Sequence, residues 1–158
     1  MSNNIKYKLD FYTEYNQFYI VDKNVGPDLE SSGLWTDISV FERLGIAEGT
    51  VGVYTECYGP VKGDLELLKE SRKEVDYKKY DHIVECGLNI SSGFLQILDC
   101  PTSRVQLELK VPSGKYAVRV YSLNLGSVKG DEGEDFYKIE MWPEKKIMNP
   151  KVLKQYRP

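Results

Sequence analysis

Val105-Gln106-Leu107-Glu108-Leu109-Lys110-Val111 is apolar at every odd position and polar at every even one. A period of two suits a β-strand with one buried and one wet face, and no helix. The pattern returns on both sides of this stretch. Tyr116, Val118 and Val120 alternate with Lys115, Ala117 and Arg119, and Val84, Cys86, Leu88 and Ile90 alternate with Glu85, Gly87 and Asn89. Weaker strand patterns cover Lys6–Tyr12, Gln17–Asp22, Thr50–Glu56, Val61–Leu68, Phe94–Leu98 and Phe136–Trp142. Turn residues separate them: Gly59-Pro60, Ser91-Ser92-Gly93, Pro101-Thr102-Ser103, Pro112-Ser113-Gly114 and the run from Gly126 to Gly133. Short strands joined by tight turns predict an all-β protein, an antiparallel β-sandwich of about eight or nine strands. One short helix interrupts them, over Asp37–Leu44. Ile38, Phe41 and Leu44 form its apolar stripe, Thr36 or Asp37 caps it, and Gly45 follows its end.

Two segments lack the alternation. Lys69–Lys79 is almost wholly charged and reads as a mobile loop. After Trp142-Pro143 the chain turns basic, with Lys145, Lys146, Lys151, Lys154 and Arg157 against Glu144. The formal charge of the chain is −3, so this local +4 leaves −7 on residues 1–142. With 41% hydrophobic residues, the 158-residue chain can build one core. We therefore expect a single sandwich domain over 1–142 and a basic tail over 143–158. Ile147, Met148, Val152, Leu153 and Tyr156 would let the tail dock on that domain or exchange between subunits. A net negative body disfavours direct nucleic-acid or anionic-membrane binding. Met1–Lys6 lacks the order of a secretory signal and no apolar run is long enough to span a bilayer, so a cytoplasmic protein is expected. Cys57, Cys86 and Cys100 are odd in number and unpaired in spacing, as reduced buried thiols would be.

Catalytic chemistry finds little support. His82 is the only histidine, which removes most routes to a nucleophile–base pair or a histidine-rich zinc site. A functional reading would pair it with Asp81 or Glu85; the alternative is a solvated or hydrogen-bonding residue. Gly114-Lys115 lacks the glycine and hydroxyl residues of a P-loop, and no dinucleotide fingerprint occurs. We expect no catalytic residue, no metal and no cofactor. The densest chemistry is Lys129-Gly130-Asp131-Glu132-Gly133-Glu134-Asp135. Its order does not match an EF-hand, and it reads as a solvated acidic hairpin, with a partner-binding epitope and then a hard-cation site as the alternatives. Most of the 12 Tyr, 5 Phe and 2 Trp are expected in the core. A remaining cluster at one rim would be interface material.

Several segments carry a resemblance. Tyr15–Asp22, Leu34-Trp35-Thr36-Asp37, Gly45–Val51, Pro112–Tyr116 and Asp135-Phe136-Tyr137 together resemble the competence protein J family of small bacterial proteins. The resemblance spans residues 15 to 142 and implies inhibition of a competence DNA-entry nuclease. The charged insertion at 69–79 and the basic tail depart from the family pattern. Tyr80–Glu85 and Phe136–Pro143 are also similar to a wider set of bacterial proteins of the same sandwich plan.

The combined expectation is a non-catalytic inhibitor or immunity-type protein that blocks a bacterial nuclease or toxin through an acidic surface. Asp131, Glu132, Glu134 and Asp135 form the first candidate surface, and Asp28 and Glu30 a second loop of like sign. The alternative is a sandwich that holds a small molecule or glycan on an aromatic rim, with calcium as a possible requirement. A concave tyrosine-lined pocket would favour that ligand; a flat acidic face would favour a protein partner.

Overall fold

The computed structural model describes residues 5–26, 29 and 33–158. It contains eleven strands: β1 (Ile5–Tyr12), β2 (Gln17–Asp22), β3 (Leu44–Ala47), β4 (Thr50–Tyr54), β5 (Pro60–Leu67), β6 (His82–Ile90), β7 (Phe94–Leu98), β8 (Val105–Lys110), β9 (Gly114–Leu123), β10 (Phe136–Glu144) and β11 (Lys151–Lys154). The helix α1 covers Asp37–Glu42. One sheet runs β1-β5-β10-β9-β6-β11 and the other β3-β4-β2-β7-β8. Every pairing is antiparallel except β5 with β10.

The alternating residues form the core between the sheets. Val84, Cys86, Leu88 and Ile90 of β6 and Tyr116, Val118 and Val120 of β9 meet Phe18 and Ile20 of β2, Val51 and Val53 of β4, Ile97 of β7 and Leu109 of β8. Each such side chain contributes about 1.5–3 kcal/mol by leaving water. A buried carboxylate ties the two layers where β6 of one sheet turns into β7 of the other. Asp22, 3% exposed at the end of β2, accepts the backbone N–H groups of Ser91 at 3.1 Å and Ser92 at 3.2 Å, and both hydroxyls. Burial opposes its ionisation, but the donations from Ser92 and Ser91 outweigh it and hold the carboxyl below the usual range. A depressed native pKa stabilises above the unfolded value of 3.8 and is lost as pH falls below it. Asp22→Asn is expected to cost about 2 kcal/mol at pH 7. Urea denaturation checks this, and the cost should shrink as the pH drops below 3.8.

The faces expected to be wet are covered instead. Arg119 and Glu85, the polar alternates of β9 and β6, are 7% exposed and joined Nε to Oε2 at 2.9 Å, with Arg119 stacked 4.8 Å from the Trp142 ring. The tail crosses this outer face. Met148 packs against Ala117, Leu68 and Trp142, and Leu153 against Tyr80, Ile83 and Tyr121. Its backbone passes so close that a Cβ on Gly87 would stand 2.6 Å from Met148 N, so β6 needs a glycine there. The charged 69–79 segment is pinned rather than free. Arg72 reaches over the sheet to donate to Glu140 at 2.6 Å and Glu66 at 2.8 Å.

The helix also differs from expectation. It ends at Glu42 because Arg43 turns left-handed, φ 63, and its guanidinium is buried beside the rings of Tyr54 and Tyr156 while pairing with Glu56 at 2.9 Å. Ile38 and Phe41 are 70% and 53% exposed, so the helix has no buried stripe, and Leu44 and Gly45 belong to strand β3.

Candidate functional site

Three connections meet at one end of the sandwich: the β1–β2 turn, the β4–β5 connection and the loop before β10. The first is a tight hairpin in which Tyr15 and Asn16 both adopt left-handed backbone, φ 59 and 58. Asn16 tolerates this conformation and fastens the turn to its neighbour, donating from Nδ2 to the carbonyls of Thr55 at 3.0 Å and Glu56 at 3.1 Å. Thr13 N–H donates to Gly59 O at 2.9 Å. The result turns Tyr12 and Tyr15 outward, 75% and 58% exposed, with the Tyr15 ring edge-on to Tyr58 at 6.0 Å.

The acidic loop is folded by the residues around it. Lys129 and Glu132 exchange backbone hydrogen bonds across a turn containing Gly130, φ +62. Cys57 donates from Sγ to Asp131 O at 2.9 Å and from N–H to Asp135 at 3.1 Å. Tyr137 donates its hydroxyl to the same Asp135 oxygen at 2.6 Å and accepts the Glu56 N–H at 2.7 Å. Asp135 is thus 4% exposed and a fastener of the loop, not part of its outer surface. Burial, then the Asp135 charge, drives the Tyr137 hydroxyl pKa well above its usual value; burial with the Asp135, Asp131 and Glu132 charges raises the Cys57 thiol. Both remain hydrogen-bond donors.

Asp131, Glu132 and Glu134 are exposed. Asp131 and Glu132 face Tyr12, Thr13, Glu14, Tyr58, Gly59 and Pro60 across an open cleft of about 590 Å3. Three carboxylates line it and no Lys or Arg does. Among the described residues, no side-chain hydrogen bond or ion pair engages Glu14, Asp131 or Glu132. Asp28 and Glu30 lie outside the described residues. Sequence reading found Asp131 and Glu132 but neither Glu14 nor the tyrosines that join them, because Tyr12 and Tyr58 come from strands and turns 46 residues apart in the chain, a separation only strand pairing closes.

The other polar residues take structural roles. His82 is fully buried and touches neither Asp81 nor Glu85. Its ring bonds the Glu42 carbonyl and the Tyr156 N–H, while Asp81 accepts from Leu125 N–H at 2.8 Å. Glu66, Glu85 and Glu140 are buried, but each meets a guanidinium or ammonium. Burial opposes ionisation of Glu66, yet its bonds from Arg72 and Lys138 hold the carboxyl below its usual range, opposite to what a general acid needs. Among the described residues, no three His, Cys, Asp or Glu side chains converge to hold a metal ion, and no helix is long and apolar enough to cross a membrane.

Fold and rim together define a mostly antiparallel two-sheet β protein with an acidic, tyrosine-bearing end. Two solved structures share this fold. One is ComJ from Bacillus subtilis, an inhibitor of the DNA degrading activity of NucA, at TM-score 0.70 and 16% identity over 90% of this chain and 100% of ComJ. The other is crocagin biosynthetic gene J, at TM-score 0.57 and 16% identity over 91% and 100% of the two chains. The family resemblance read from the sequence therefore holds at the level of the fold. No protein-family model matches the chain, and no curated protein matches it by sequence.

Proposed function

We propose that this chain is a non-catalytic inhibitor that blocks a DNA-degrading nuclease by docking through the rim of Tyr12, Glu14, Tyr15, Tyr58, Asp131, Glu132 and Glu134. The observation that carries this reading is the set of three cleft carboxylates that, among the described residues, no cation pairs with. The buried acids all take donors from within the fold, so these exposed charges remain for a partner. A nuclease must gather phosphates with Lys and Arg, and a rigid acidic rim competes in the same field. The exposed tyrosines supply contact area at small entropic cost, the usual make-up of an interface centre. The shared fold with ComJ, itself an inhibitor of a nuclease, supports the choice of partner. The charge is local: Lys6, Lys8 and Lys62 line a separate hollow on β1 and β5.

The test is inhibition of a NucA-type nuclease by the intact chain, with association measured at low and physiological salt. Asp131→Asn/Glu132→Gln/Glu134→Gln is expected to slow association about tenfold at low salt, with the gap narrowing as salt screens the rim. An unchanged rate would remove the rim from the interface. Asp135 is kept out of this variant because it holds the loop together. The concavity of the cleft favours a second reading, a sandwich that binds a small molecule, and its lining would restrict that molecule to a cation.

A further inference from the structure

We infer that the rim cleft is built to take one arginine side chain of the partner, between the tyrosines and the three carboxylates. This inference rests on the proposed docking reading and makes it specific. A volume of about 590 Å3 is several times what one side chain fills, so the cleft admits a guanidinium with its stem and stays partly wet. Its walls differ in chemistry. Tyr12 lies beside Gly59, with ring carbons 3.5 Å from where a Cβ would stand, and the residue is 75% exposed. Tyr58 stands on the same side, braced edge-on by Tyr15. Glu14 comes from the hairpin, and Asp131 and Glu132 from the loop.

A cation is required because every charged side chain lining the cleft is negative. Arginine meets both walls where lysine meets one. The planar guanidinium is weakly hydrated, stacks on aromatic faces and presents a fork of donors to carboxylates. An ammonium is a compact, strongly hydrated charge that gains little from an exposed ring. The acidic loop is also fastened to the aromatic side: Cys57 donates to the Asp131 carbonyl from the β4–β5 connection that carries Tyr58.

The test uses small probes and needs no nuclease. N-acetyl-arginine methylamide and N-acetyl-lysine methylamide are each titrated into the 15N-labelled full chain and followed by amide shifts. The arginine probe is expected to shift Tyr12, Tyr58, Asp131 and Glu132 and to bind about tenfold tighter than the lysine probe. Tyr58→Ala should remove that preference while weak binding of both cations persists; Glu132→Gln should weaken both. Equal affinities, or shifts spread over all the acidic surface, overturn the inference. Its failure separates from that of the docking reading. Loss of nuclease inhibition in the rim variant without arginine preference leaves docking and removes the arginine site. Arginine preference with inhibition untouched by the rim variant leaves the arginine site and removes nuclease docking there.

Discussion

Arg72→Ala should be the most damaging single truncation outside the apolar core, lowering unfolding free energy by about 3 kcal/mol. Arg72 is one side chain from the β5–β6 connection, half in solvent, yet it serves two carboxylates at once: Nε to Glu140 at 2.6 Å and the second amino group to Glu66 at 2.8 Å. Glu140 is fully buried, and its other oxygen takes the Tyr121 hydroxyl at 2.5 Å. Burial and then the hydrogen bond to Glu140 push that hydroxyl's pKa far up, so it stays a donor. Without the guanidinium, the buried Glu140 side chain is left under-compensated, with the Tyr121 hydroxyl as donor and the Lys138 ammonium nearby, and the strap of residues 69–79 loses its anchor. Uncompensated buried charge is the costly term, so removing the charge as well should return much of the loss. Arg72→Ala/Glu140→Gln is expected to recover more than half of it, and Arg72→Lys, which spans one carboxylate at a time, to fall between. Urea unfolding curves for the four proteins decide this. A shift below about 0.5 kcal/mol for Arg72→Ala would mean that the strap is held by its apolar contacts, Val75 and Tyr80 on Tyr121.

His82 should impose a pH dependence of similar size. The ring sits at the start of β6, fully buried, between the last turn of α1 and the tail. Its partners fix the neutral form: Nε2–H donates to Glu42 O at 2.7 Å and Nδ1 accepts the Tyr156 N–H at 2.9 Å. Burial lowers its pKa to about 4; the Glu42 carbonyl pulls the other way, and the nearby Arg43 cation adds to the lowering. In the unfolded chain the imidazole protonates near 6.5. Above that pH both states are neutral and stability does not depend on this group. Between 6.5 and 4 only the unfolded chain gains the proton, so stability falls with falling pH by up to about 1.4 kcal/mol per unit, in all on the order of 3 kcal/mol. Below 4 the folded chain protonates too and the decline from this residue stops. His82→Gln removes the titration. The stability of wild type relative to the variant should therefore drop steadily from pH 6.5 to 4, and parallel profiles would refute the assignment. Amide protection at residues 155–157 should fall only as the pH drops through about 4, because the folded ring protonates there and a protonated Nδ1 no longer accepts from Tyr156.

How far the sequence could be read follows from what kind of signal each feature leaves. The nine strands expected from alternation are all present with small shifts at their ends, because a half-buried strand writes its burial into every second residue. β3 and β11 were not legible. Leu44-Gly45-Ile46-Ala47 has one turn of helix before it and too few residues for a period, and Lys151–Lys154 has two apolar residues between lysines. The acidic loop was legible as composition, but its division was not. Asp131, Glu132 and Glu134 face out, whereas Asp135 faces Cys57 and Tyr137.

The sequence by itself determined the sheet-forming segments, the core-facing residues of β6 and β9 and the run of acids before β10, since all three are local patterns. Only the tertiary structure decided that the opposite face of the six-stranded sheet is roofed by the Arg72 strap and the tail. The same holds for His82, which bridges helix and tail in place of meeting an acid. It also brought Tyr12, Glu14 and Tyr58 to the acidic loop. Burial of a charged residue and convergence of distant side chains depend on which segments pair across the chain, and long-range pairing leaves no periodicity in the segments it joins.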